Sequence, residues 1–229
     1  MLIIDPQTTA QPDFYQYMIG AIAPRPIAFI STVDAEGNSN LAPYSFFNAV
    51  SSKPPFVVFS PARRATNNTT KDTLDNIEQT KECVINVVSH NIVRQMVLTS
   101  QNYPKGVDEF QKSGLTPLAS DLVKPVRVAE SPVQMECRVH QILPLGTEGG
   151  AGNIVVCEVV RMHINENVLD ERGRIDPHKI DLVGRLGRAN YVRASGNNIF
   201  DIVLPEKPLS LGYDSLPENI LKSESFDRK

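Results

Sequence analysis

Ile27-Ala28-Phe29-Ile30-Ser31-Thr32-Val33, Asp34-Ala35-Glu36-Gly37-Asn38 and Ser39-Asn40-Leu41-Ala42-Pro43-Tyr44 follow one another without a break. The outer two are strand-length runs. Between them Gly37 can adopt the positive φ that a tight connection needs, so the stretch predicts a β-hairpin. Working outward, Phe56 to Ser60 reads as a third strand after the brake of Pro54-Pro55, and Cys83 to Val88 as a fourth. Val133 to Ile142 and Asn153 to Met162 read as a long pair joined by the glycine cluster Gly146 to Gly152. Short β-rich runs bounded by Gly, Pro, Asn or Asp are the pattern of a mostly β barrel or sandwich.

The glycine cluster is read as a hairpin loop rather than a dinucleotide fingerprint, because β-branched Ile154-Val155-Val156 follows it where a helix should begin. Two helices are legible. One starts at Asp72-Thr73, where either side chain can cap the free amides, carries Leu74 and Ile77 on one face, and ends by Lys81. The other runs from about Asn91 to Thr99 and packs Ile92, Val93, Met96 and Val97. Residues 101–125 form a long polar excursion with one helical turn near Phe110, and such excursions are often functional. After Met162 come a turn at Asp170 to Gly173 and the basic, glycine-broken Gly184 to Arg188. We read residues 1–204 as one domain with its core at about 15–165, and 205–229 as a polar tail.

Lysine and arginine number 23 against 26 acidic residues, a formal net charge of −3. That balance offers no long-range attraction for nucleic acid or an anionic membrane, although a local phosphate-sized site is compatible with it. Cys83, Cys137 and Cys157 are odd in number and set among apolar residues, which fits reduced core thiols and a cytoplasmic setting. The start lacks a basic n-region, and no apolar run approaches the roughly 20 residues of a transmembrane helix, so a soluble, unexported protein is expected. His90, His140, His163 and His178 show no metal-ligand spacing, and no nucleophile elbow or Walker loop is present.

Two segments carry candidate chemistry. Arg63, Arg64, Asn67, Asn68, Thr69, Thr70 and Lys71 precede a helix start, close to Ser60 at a strand end. Unpaired amides, hydroxyls and cations there make an anion cradle, with Lys71, Thr73 and one of the two arginines as contacts and Asp72 as an orienting or capping residue. Asn40 to Phe46 is the second segment. Pro43 fixes its path while Ala42, Tyr44, Ser45 and Phe46 keep their backbone donors, as a planar heterocycle with electron-rich carbonyls requires. Taken alone, each has a plainer reading: a hairpin edge, a solvated arginine pair, a helix cap.

In order and spacing, Arg25-Pro26-Ile27-Ala28-Phe29-Ile30-Ser31-Thr32, Asn40-Leu41-Ala42-Pro43-Tyr44-Ser45-Phe46-Phe47, Pro54-Pro55-Phe56-Val57-Val58-Phe59-Ser60 and Lys71-Asp72-Thr73-Leu74-Asp75-Asn76-Ile77 resemble the flavin reductase-like, FMN-binding split-barrel family. The flavoprotein partners of two-component monooxygenases, among them the nitrilotriacetate monooxygenase component B group, are most similar. The resemblance covers about residues 15–165. It implies a mostly β split barrel with short helices, a homodimer, and FMN held by Asn40, Ala42, Tyr44, Ser45, Phe46, Ser60, Arg63, Lys71, Asp72 and Thr73, with Arg185 and Tyr191 closing over the ring or ribityl chain. It further implies an oxidoreductase in which NAD(P)H delivers hydride to flavin, which then reduces free flavin or a partner oxygenase. No side chain is assigned as catalytic, since the cofactor carries the chemistry. The alternatives are an FMN electron carrier of the flavoredoxin type and a non-enzymatic flavin- or haem-binding module.

Overall fold

The computed structural model describes residues 1–104 and 106–202. They fall in two compact units, Met1–Ser195 and the part of Gly196–Lys229 that is described, a single 3-10 turn at Gly196–Asn198. The tail expected over 205–229 lies outside the described residues.

The first unit opens with a helix, α1 (Gln11–Ala21), which the sequence reading does not contain. Ile19 is its one buried residue, so no apolar stripe marks it in the sequence. The predicted hairpin follows as β1 (Ala28–Val33) and β2 (Ser39–Tyr44), antiparallel in the register Ala28↔Tyr44 to Val33↔Ser39, with Gly37 at φ 89° in the connection. Next comes a strand that was not foreseen, β3 (Phe47–Ser52), exposed over most of its length, paired with β4 (Pro55–Phe59) through a bulge at Ala49/Ser51. Helix α2 (Asp72–Thr80) leads into β5 (Glu82–Val87), and α3 (Val93–Leu98) and α4 (Glu109–Ser113) follow. Val97 is exposed, so the packing face of α3 is narrower than its spacing suggested.

The excursion closes with the two-residue strands β6 (Pro117–Leu118) and β7 (Arg127–Val128). The long pair is β8 (Val133–Pro144) and β9 (Asn153–Ile164). Its glycine loop is a hairpin connection, as expected, and it packs on the segment after β4. Arg63 donates its amide to Ala151 at 2.9 Å, and any side chain at Gly152 would meet the Ser60 hydroxyl 2.7 Å away. A short helix α5 (Pro177–Ile180) precedes β10 (Val183–Arg185) and β11 (Tyr191–Arg193), so the basic run at 184–188 is a strand and the turn of a small hairpin.

Seven strands form one antiparallel sheet in the order β2-β1-β5-β8-β9-β4-β3. Side chains alternate faces along a strand. Ala28 and Ile30, Cys83 and Ile85, Met135 and Cys137, Val155 and Cys157, and Val57 and Phe59 therefore point to one face, and they share a single buried cluster with Tyr44 and with Leu74 and Ile77 of α2. Strands at opposite ends of the order reach that one cluster only because the sheet curls around it, as in a barrel. On the other face, Phe29 joins Leu41, Met96 of α3, Phe110 of α4 and Val183. β1 is buried along its whole length because it is covered on both faces, which explains its nearly continuous apolar run.

Candidate functional site

Helix α2 sets the site's position. Leu74 and Ile77 plug the curled sheet, so the start of the helix is fixed beside the outer end of β2. Its N-cap is Lys71, with extended backbone and no side-chain cap, so neither Asp72 nor Thr73 caps the helix. Asp72 instead meets Arg64, Oδ2 to Nη2 at 3.3 Å, which is an orienting role. Thr73 accepts a hydrogen bond from Asn40 Nδ2 at 2.9 Å, tying the helix to β2. The Leu74 and Asp75 amides donate to the Lys71 carbonyl, and those of Asp72 and Thr73 have no partner among the described residues, the condition that makes a helix start attract anions.

Between β2 and α2 lies a cleft of about 80 Å³, lined by Asn40, Ala42, Pro43, Tyr44, Arg64, Lys71, Asp72 and Thr73 on one side. Thr99 to Tyr103 and Glu109 from the excursion form the other. Lys71 places its ammonium 5.2 Å from the centre of the Tyr44 ring and makes no ion pair among the described residues. Burial, with Arg64 nearby, holds its pKa below the usual lysine value. Tyr44 is 5 % exposed, and among the described residues its hydroxyl is the buried side-chain polar atom that has no hydrogen-bond partner. Burial pushes the phenol well above its ordinary pKa, so it stays a neutral donor. An orphaned buried donor costs about 1–3 kcal/mol, and a ligand oxygen would relieve that cost.

Arg64 is oriented by Asp72, by the Thr69 hydroxyl at 3.3 Å and by the Thr70 carbonyl. Arg63, its neighbour, is outside the cleft, held by the Asn68 side chain at 2.8 Å, and the arginine that lines the cleft is Arg64. Ser60 packs against the glycine loop and does not line the cleft. Ser45 and Phe46 lie beyond its end. The Ser45 hydroxyl accepts from Arg25 Nε at 3.4 Å, while Phe46 is 37 % exposed and its carbonyl accepts from the Ser60 amide at 2.9 Å.

Arg25 is a buried guanidinium that the sequence reading passed over within its own motif. It donates to the carbonyls of Ile19 at 2.6 Å and Ile22 at the end of α1, and to Leu186 at 3.1 Å. Its backbone also bridges to Arg185. Arg185 in turn stacks on Tyr191 at 4.5 Å. Neither lines the cleft, and Tyr191 faces a separate pocket of about 430 Å³ with His90, Val93 and Arg94. The structure thus brings Asn40, Ala42, Tyr44, Lys71, Asp72 and Thr73 together, adds Arg64 and Glu109, and leaves Ser45, Phe46, Ser60, Arg63, Arg185 and Tyr191 outside the cleft. Glu109 carried no local signal, since only folding of the excursion delivers it to β2, where its Oε2 accepts from the Leu41 amide at 3.2 Å.

Comparison with known proteins agrees with this architecture. Residues 20–179 match the family model described as flavin reductase like domain. A protein of Aquifex aeolicus is 37 % identical over 182 residues, which cover 80 % of this chain and 90 % of that one. Nitrilotriacetate monooxygenase component B from Bacillus cereus superposes with a TM-score of 0.82 at 32 % identity, covering 88 % of this chain and 98 % of its own. The 2-nitrobenzoate 2-nitroreductase NbaA of Pseudomonas fluorescens superposes at 0.81 with 28 % identity, covering 92 % and 100 % respectively. The fold is that of the split-barrel flavin reductases.

Proposed function

The chain belongs to the flavin reductase-like domain family, and from that premise we propose that it binds FMN by its phosphate in the cleft between β2 and α2 and works as an NAD(P)H-dependent flavin reductase. Lys71, Arg64, the free amides of Asp72 and Thr73 and the Tyr44 hydroxyl are the donors for the phosphate. The observation that carries the reading is the buried Tyr44 hydroxyl, which makes no hydrogen bond of good geometry among the described residues although the Thr73 hydroxyl lies near it, beside Lys71, which makes no ion pair among them. The neutral Tyr44 hydroxyl and the Lys71 ammonium hold an anion without either giving up its proton, while the Arg64–Asp72 pair keeps the second cation in place. Ala42 and Pro43 carry the cleft's wall toward Ser45 and Phe46, whose backbone donors are the groups on offer to the ring system.

Bound FMN supplies the two-electron chemistry, accepting from a nicotinamide and passing electrons on. The chain's residues bind and orient it and leave one side open to the transient donor. Free flavin or a partner oxygenase is the acceptor in this proposal, the working form is a homodimer, and the setting is the cytoplasm. Among the described residues no helix is long and apolar enough to cross a membrane. Anaerobic stopped-flow mixing of the FMN-loaded protein with NADH or NADPH tests the activity. Bleaching of the flavin absorbance, reversed on adding free FMN, is expected. A flavin that neither nucleotide reduces would leave the electron-carrier reading in its place.

A further inference from the structure

A cleft built to take a phosphate contains a carboxylate, Glu109, fastened where it cannot swing away. Its Oε2 accepts from the Leu41 amide at 3.2 Å, and releasing that bond would orphan a donor next to a fully buried residue. Glu109 lines the phosphate cleft and also a neighbouring pocket of about 310 Å³ that holds Asp34, Asp72 and Asp108. The charged and titratable groups around it come from several elements. Asp108 precedes it and Lys112 follows, exposed, on α4, Asp72 and Lys71 come from the start of α2, Arg64 from the preceding loop, Tyr44 from β2 and Tyr103 from the excursion. The one ionisable side chain of α3, Arg94, lines the separate pocket beside Tyr191. Arg64 is committed to Asp72, so of the two cations that line the cleft Lys71 is the one without an ion pair among the described residues, and it faces two carboxylates. Burial first, then Asp72 and Asp108, already hold the Glu109 carboxyl above its ordinary value.

Resting on the phosphate-binding reading above, we propose that Glu109 is the specificity residue of the cleft and works by proton coupling: it takes a proton from solvent when a phosphate monoester enters. The protonated carboxyl then donates a hydrogen bond to the phosphate while its other oxygen keeps the Leu41 amide. A phosphate brings one or two further negative charges into a space that already holds Glu109, and the protonated acid converts a repulsive contact into a donor. The sign follows from linkage. A carboxyl whose pKa is higher in the complex than in the free protein favours binding fully below the free value, and the advantage is lost as pH rises through the bound value. A ligand without phosphate feels none of this, so Glu109 separates FMN from riboflavin in a way that depends on pH.

Isothermal titration of the apoprotein with FMN near neutral pH, in two buffers of very different ionisation heat, reads the proton directly. Uptake approaching one proton per FMN is expected, with none for riboflavin. Glu109→Gln keeps an acceptor for Leu41 and should abolish the uptake. At mildly alkaline pH it should also tighten FMN about a hundredfold or more, the equivalent of at least two pKa units, which uptake near one proton requires. Wild-type protein that binds FMN with no proton uptake, or uptake that persists in Glu109→Gln, overturns the proposal. In the first case the carboxylate stays ionised, and in the second the proton sits on the phosphate. Failure of the wild type to bind FMN at all would instead remove the reading on which the proposal rests, and the proposal with it. Should the variant not fold, the infrared difference spectrum of FMN-loaded minus free wild-type protein decides. It must gain a protonated carboxyl band that is missing with riboflavin.

Discussion

Lys71 stands where a helix start, a tyrosine face and a loop of donors converge, with its ammonium 5.2 Å from the Tyr44 ring centre. A charge-assisted hydrogen bond to an ionised acceptor is worth about 1.5–3 kcal/mol, so Lys71→Ala should weaken FMN roughly tenfold or more and leave riboflavin nearly unchanged. Fluorescence titration with both ligands checks this, and equal weakening of the two would make Lys71 a support of the fold. Much of this cleft is legible in the sequence because Asn40, Ala42 and Tyr44 and then Lys71, Asp72 and Thr73 are local motifs. Choosing Arg64 over Arg63 is not, since it depends on the path of a loop that turns one guanidinium to Asp72 and the next to Asn68. Glu109 is invisible for a related reason: it is 68 residues from the amide it holds.

At the scale of elements, the excursion that delivers Glu109 is itself pinned to the barrel by one buried carboxylate. Glu136 on β8, 0 % exposed, accepts from the amides of Asp121 at 2.9 Å and Leu122 at 2.6 Å and meets His163 Nε2 at 2.6 Å, while Arg161 holds Asp121. Burial pushes this carboxyl up, and those bonds more than reverse it, leaving its pKa below the ordinary value. Glu136→Gln turns an amide group toward one of two backbone donors, so it should cost about 1–3 kcal/mol in denaturant melts at neutral pH. Since the folded value is depressed, the stabilisation is complete above the unfolded carboxylate range and disappears as pH falls through the folded one. The gap between wild type and variant should therefore close only in acid, and a gap constant with pH would contradict this account of Glu136. The strands with apolar alternation or continuous apolar runs, β1, β5, β8 and β9, were legible for the same reason that they form the core. β3 was not, because its mixed residues lie exposed at an edge and follow no apolar period, and α1 was missed because it buries only Ile19.

For the whole molecule, the sheet ends in two edges, β2 and β3; the second presents Val50 at 57 % exposure, and Phe46, also exposed, immediately precedes that strand in the chain. Unpaired edges with exposed apolar side chains are what a second subunit would cover. A homodimer linked to flavin binding is expected, and sedimentation at micromolar concentration with and without FMN checks it. A strictly monomeric FMN-loaded protein would remove the dimer from the picture. Recognition of FMN through its phosphate in the cleft between β2 and α2 is read by titrating the apoprotein with FMN, riboflavin and FAD side by side. FMN should bind tighter than riboflavin by roughly tenfold or more, the worth of at least one charge-assisted bond, and tighter than FAD, whose phosphates are not terminal. Riboflavin or FAD binding as tightly as FMN would contradict phosphate recognition.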